Sequence, residues 1–106
     1  MDRRLRSRIS KFRGELGRLY GDRLVHAILF GSRARGDAGP ESDIDVLVVL
    51  RGSVRPSEEI ARTSPLRAEL CLQHGLVFSC TYLSEDRFRR GQSPLLLNVR
   101  REGVPL

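Results

Sequence analysis

Residues 24–50 limit the fold more than any other part of the chain. Two short apolar runs, Leu24–Phe30 and Asp43–Leu50, flank a segment rich in Gly, Ser, Pro and charge. Runs of this length, the second rich in Val, read as buried strands. The intervening Gly31–Ser42 must then begin as a turn or short helix and end as a loop. The second run opens with Asp43-Ile44-Asp45. Side chains alternate across a strand, so both carboxylates leave one face while Ile44 enters the core.

Helical spacing marks the flanking elements. Leu5, Ile9, Phe12, Leu16 and Leu19 recur at steps of three and four, which predicts a helix from Arg3 to Tyr20, ended by Gly21 and Asp22. Ile60, Leu66, Leu70 and Leu72 predict a second helix over 56–73, with Pro65 expected to kink or split it and Gly75 to stop it. Leu76–Leu83 reads as a third strand. Ser84 can cap a short turn, Glu85–Phe88. Ser93-Pro94 opens a last helix that buries Leu95, Leu96 and Val99 and stops at Gly103 and Pro105. The order helix, strand, strand, helix, strand, helix makes a small α+β (mixed α/β) domain spanning 1–106.

Composition removes several classes of function. With 40% hydrophobic and 30% charged residues, the chain has ordinary globular values and is not disordered as a whole. No apolar run approaches the ~18 residues of a membrane span, and the Arg-rich N-terminus lacks the apolar core of a secretion signal, so a cytoplasmic protein without membrane contact is expected. Arg supplies eighteen of the nineteen basic residues behind a net charge of +6. That balance favours an anionic partner. The Arg-rich face of the first helix is expected to be solvated. Cys71 and Cys80 belong to no metal-spaced cluster and are expected to be reduced, mostly buried thiols. His26, His74, Tyr20 and Tyr82 are expected to be structural.

The chemistry sits in residues 31–45. Two neighbouring carboxylates repel each other unless a cation lies between them, and hard oxygen ligands suit Mg²⁺ shared with substrate phosphates. Gly31 permits close approach of a phosphate to the backbone, and Ser32 adds a hydroxyl donor. A loop returning this turn to Asp43 and Asp45 assembles the parts needed for phosphoryl or nucleotidyl transfer.

Gly31-Ser32-Arg33-Ala34-Arg35-Gly36, followed by Ser42-Asp43-Ile44-Asp45-Val46-Leu47-Val48, resembles the signature of the minimal nucleotidyltransferases (MNT), the smallest branch of the DNA polymerase β-like nucleotidyltransferase superfamily. The segment Ser93–Val104 resembles the closing helix of those domains. The resemblance implies a three- to four-stranded mixed sheet with helices packed on one face. It implies catalytic, Mg²⁺-ligating roles for Asp43 and Asp45, and nucleotide binding by Gly31, Ser32, Arg33, Arg35 and Ser42. Local pairing of the two arginines with Asp37 or Glu41 is the competing role for them.

Active members of that superfamily usually carry a third carboxylate on the next strand. Here the corresponding position is Ser79, or Thr81 in a shifted register. Neither acts unaided as a general base at neutral pH, and Glu85 and Asp86 lie too far along the chain. Small domains of this kind resemble the antitoxin half of HEPN–MNT toxin–antitoxin pairs. The resemblance therefore implies Mg²⁺-dependent transfer of AMP from ATP to a tyrosine hydroxyl of a HEPN-domain toxin. The alternative is a weakened or inactive nucleotidyltransferase-like antitoxin that neutralises its partner by binding. Nucleic acid is not expected as a partner, because no aromatic stacking platform or recognition-helix pattern is visible.

Overall fold

The computed structural model describes residues 3–39 and 42–106. Helix α1 (Arg3–Tyr20) leads through a 3₁₀ turn into β1 (Leu24–Phe30). Helix α2 (Gly31–Arg35) and a loop connect to β2 (Ile44–Leu50). Then come α3 (Pro56–His74), β3 (Phe78–Ser84), α4 (Glu85–Arg90), α5 (Pro94–Glu102) and β4 (Val104–Pro105). The strands form one mixed sheet in the order β3-β2-β1-β4. β1 runs antiparallel to β2 and β4, and β2 runs parallel to β3.

β2 is the centre of the molecule. Its residues Val46–Leu50 are all fully buried, as a strand covered on both faces requires. On one face Val46, Val48 and Leu50 pack with Phe12 and Leu16 of α1 and Leu70 of α3. The expected single helical layer is this one. On the other face Leu47 and Val49 pack with Leu96 and Val99 of α5, and Phe88 of α4 adds to the cover. The short helices therefore shield part of the second face, because β2 is apolar on both.

Several local signals hold. Gly75 adopts φ 68° and donates its N–H to the Cys71 carbonyl at 2.8 Å, which ends α3. Ser84 and Ser93 cap α4 and α5 by accepting the N–H of Arg87 and of Leu96. Three expectations need correction. α3 runs unbroken through Pro65, where the lost N–H leaves the Ala61 carbonyl without its helical donor; both residues are exposed, so water can supply the bond. The end of the chain adds a strand, with Val104 opposite Leu29 and Pro105 opposite Ile28. The thiols are not both buried: Cys71 is exposed and Cys80 half-buried, though both are free.

The buried stripe of α3 also differs. Ile60 and Leu72 are exposed, while Glu59 and Thr63 are buried with Leu70. Burying these polar groups requires partners, and two tyrosines supply them. The Tyr20 hydroxyl donates to Glu59 Oε1 at 2.8 Å, and Arg62 Nε meets the same oxygen at 3.2 Å. Thr63 donates to the Glu59 carbonyl at 3.0 Å and bonds the Tyr82 hydroxyl. Tyr20 and Tyr82 are thus core residues that carry polar tips. Leu19, assigned to the α1 stripe by spacing, is instead 43% exposed and Tyr20 is buried in its place. Among the described residues, no helix is long and apolar enough to cross a membrane.

Candidate active site

Asp43 immediately precedes β2, and Asp45 is its second residue. In the β2–β3 register Asp45 stands opposite Ser79, and Leu47 opposite Thr81. Asp45 and Ser79 therefore share the sheet face opposite α1 and α3. The Ile44 N–H donates to the Val77 carbonyl at 2.8 Å, which fixes the start of β2 against the chain entering β3. Ile44 itself is fully buried, the anchor that turns its two neighbours outward.

The turn after β1 closes over the same point. Phe30, the last residue of β1, pairs with Asp45. The next residue, Gly31, has φ 74°, and a Cβ placed on it would collide with Asp45 Oδ2. Only glycine lets the backbone come this near the carboxylate. Ser32 follows in the first turn of α2, where amide N–H groups have no helical acceptor. Its carbonyl accepts the N–H of Gly36 at 3.0 Å and of Asp37 at 3.1 Å, closing the short helix. The Gly31→Ala variant is expected to lose about 2–3 kcal/mol from the unfavourable φ and the collision, a drop in Tm of roughly 10–20 °C. A melt within 2 °C of the unaltered protein would show that the close approach costs an added methyl nothing.

Electrostatics distinguish Asp45 from its surroundings. Burial pushes its carboxyl above the ordinary range, the Asp43 charge adds to the rise, and the Arg35 charge opposes it. A carboxylate partly buried beside a second one is suited to a divalent cation, which relieves both effects. Asp43, Asp45 and the tight Gly31 turn therefore fit a magnesium ion carried by substrate phosphates. Among the described residues, no group of three or more His, Cys, Asp or Glu side chains could hold a metal. Ser79 stands where a third carboxylate would be sought. Glu85 is six residues further along, roughly 20 Å of extended strand, and pairs with Arg89 at 3.0 Å. Asp86 pairs with Arg90 at 3.0 Å.

The two arginines of the motif are held by the protein. Arg35 Nε meets Asp37 Oδ2 at 3.1 Å, and its Nη1 meets Glu102 Oε1 of α5 at 3.1 Å. The first contact is one of the pairings expected from sequence; the other, to Glu41, lies outside the described residues. Arg35 therefore joins the α2 turn to the closing helix and lies close enough to Asp45 to act on its charge. Arg33 Nη2 donates to the Ser42 carbonyl at 2.8 Å, and its Nε is buried without an acceptor among the described residues. The Ser42 hydroxyl accepts the Gly39 N–H at 3.0 Å, so this hydroxyl shapes the loop leading to Asp43. Glu102 escaped sequence reasoning, since nothing local links it to a residue 67 positions earlier.

The family model described as a nucleotidyltransferase domain matches residues 9–86. A Methanocaldococcus jannaschii protein with the provisional name protein adenylyltransferase MJ0604 is 38% identical over 82 residues, which is 77% of this chain and 76% of that protein. A solved structure described provisionally as a minimal nucleotidyltransferase superposes with a TM-score of 0.67 at 29% identity, covering 100% of this chain and 97% of its own. The crystal structure of a toxin–antitoxin with AMP-PNP contains a chain that superposes with a TM-score of 0.62 at 20% identity, over 90% of this chain and 69% of that one.

Proposed function

This chain belongs to the nucleotidyltransferase domain family, and from that premise we propose that it transfers AMP from ATP to a tyrosine hydroxyl of a HEPN-type toxin, with Mg²⁺, and so serves as an antitoxin. The observation that carries this reading is the close approach of Gly31 to Asp45, with Asp43 near enough for its charge to act on that carboxyl. The adenylyltransferase name of the archaeal relative supports AMP as the transferred group, and the toxin–antitoxin neighbour supports the kind of partner.

Asp43 and Asp45 would hold the magnesium ion, which supplies charge neutralisation on the phosphates when bound. Gly31 lets the backbone lie against the phosphate tail, and Ser32 offers a hydroxyl donor to it. Arg35, fixed by Asp37 and Glu102, adds positive charge at the edge of the site. In the transfer, the acceptor oxygen forms a bond to the α-phosphorus as the bond to pyrophosphate breaks. Ser79 offers no carboxylate to take the acceptor's proton. A phenol ionises near pH 10, far more readily than an aliphatic hydroxyl or water, so its proton can pass to solvent. This chemistry supports tyrosine as the acceptor.

The second reading, neutralisation by binding with a vestigial nucleotide site, is favoured by Ser79 standing opposite Asp45. Transfer of label from α-³²P-ATP onto a candidate HEPN partner separates the two. The first reading expects label on the partner that disappears with EDTA and in the Asp43→Asn variant. A stable complex that never acquires label would replace it with the second.

A further inference from the structure

We propose that the outward face of α1 is a docking surface for the phosphodiester backbone of a nucleic acid, separate from the nucleotide site. Six cations fall within its first eleven residues: Arg3, Arg4, Arg6, Arg8, Lys11 and Arg13. None makes an ion pair or side-chain hydrogen bond with the described residues. Among the described residues, the arginines elsewhere, Arg87 excepted, behave differently. Arg18, Arg23, Arg35, Arg55, Arg62, Arg89 and Arg90 pair with carboxylates. Arg33, Arg51, Arg67, Arg100 and Arg101 donate to carbonyl, hydroxyl or amide oxygens. Among the described residues, the protein thus engages most of its guanidinium groups internally and leaves this cluster uncompensated. The cluster also reaches past its own helix: Arg8 and Lys11 both help to hold the His74 imidazole, at the end of α3, below its ordinary pKa, after partial desolvation.

The arrangement fits a polyanion better than a folded acidic protein. At 100° per residue, Arg4, Arg8 and Lys11 line one edge of the exposed face, and Arg6 and Arg13 the other. Between the rows lie Ser7, Ser10 and Gly14, all exposed and small. At the helix start Arg3, Arg4, Ser7 and Arg8 line a shallow depression of about 500 Å³. A strand of phosphates can lie along such a floor and receive forked guanidinium contacts from both sides. A stable protein interface would need an apolar or aromatic centre, and the face has only Leu19, at its far end. With no aromatic ring to stack on bases, recognition falls on the backbone and is independent of sequence. α1 covers the sheet face opposite Asp45, so a bound strand leaves the nucleotide site open.

The test is fluorescence anisotropy of labelled 20-nucleotide RNA and DNA strands titrated with the whole protein from 50 to 200 mM salt. Binding is expected to weaken about 10²-fold or more across that range, with little preference among base sequences. The variant Arg4→Ser/Arg8→Ser/Lys11→Ser should bind at least about tenfold more weakly at 50 mM salt and lose roughly two units from the log–log salt slope. A control, Arg55→Ser/Arg89→Ser/Arg90→Ser, removes the same charge from paired sites and should change neither by much. If the α1 variant melts early, the exposed pair Arg4→Ser/Lys11→Ser replaces it, with about two-thirds of the change in slope. Equal loss in both variants, competition by poly-glutamate as effective as by RNA, or no binding at 50 mM salt would each overturn the assignment.

Discussion

Replacing Asp45 with asparagine is expected to cut AMP transfer by at least ~10³-fold while leaving the melting temperature unchanged or higher. The loss follows from removing half of the carboxylate pair that would hold the metal, a contribution of several kcal/mol to the transition state, with each ~1.4 kcal/mol worth a factor of ten. The gain in stability follows from the same electrostatics. Burial and the Asp43 charge both disfavour the ionised form of Asp45, and a neutral amide of the same shape removes both penalties. Arg35 is not stranded by the change, because Asp37 and Glu102 still hold it. Label transfer and a thermal melt on the same preparation test the two halves together. Activity above a tenth of the unaltered rate would remove Asp45 from the metal site. A Tm several degrees lower would show that the carboxylate is structural.

Glu59→Ala should do the opposite, destabilising the fold without touching the chemistry. Glu59 is 2% exposed and receives the Tyr20 hydroxyl, with Arg62 and Arg23 near its two oxygens. Truncation strands the buried hydroxyl and opens a void between α1 and α3. Both arginines are partly exposed and can turn to water, so the expected loss is about 2–3 kcal/mol, below the full penalty for breaking a buried pair. For a chain of this size that is a fall in Tm of roughly 10–20 °C. Glu59→Gln keeps an acceptor for Tyr20 and should lose less than half as much. The phenol of Tyr20 is held above its ordinary range by burial and by Glu59; with the carboxylate gone, its ultraviolet titration should shift toward pH 10. Equal melts for Glu59→Ala and the unaltered protein would mean that the buried contacts contribute nothing net.

Chain-local physics made much of this protein legible. The α1 boundaries, the seven residues of β1, the glycine stop of α3 and the serine caps of α4 and α5 all follow from groups within a few residues of one another. The nearness of Asp43 to Asp45 is legible too, since the two lie two residues apart and the Asp43 charge acts on the Asp45 carboxyl, although β2 starts only at Ile44. The shared face of Asp45 and Ser79 could be anticipated only by aligning one strand with another, and the observed register places them opposite each other.

What spacing could not decide were choices made by partners distant in the chain. Apolar periodicity assigned Ile60 and Leu72 to the core of α3, yet Glu59 and Thr63 are buried instead. The hydroxyls of Tyr20 and Tyr82, 39 and 19 residues away, satisfy them. Leu19 yielded its place to Tyr20 for the same reason. Val104 and Pro105 carry no strand signal and became β4 because the edge of β1 was open beside them. Glu102 entered the site only through the folded contact with Arg35. The sequence by itself thus determined the elements other than β4, and their caps, since those depend on local geometry and period. The tertiary structure alone decided which polar groups could be buried and which residues hold the site in place, because both depend on hydrogen-bond partners that only folding brings within reach.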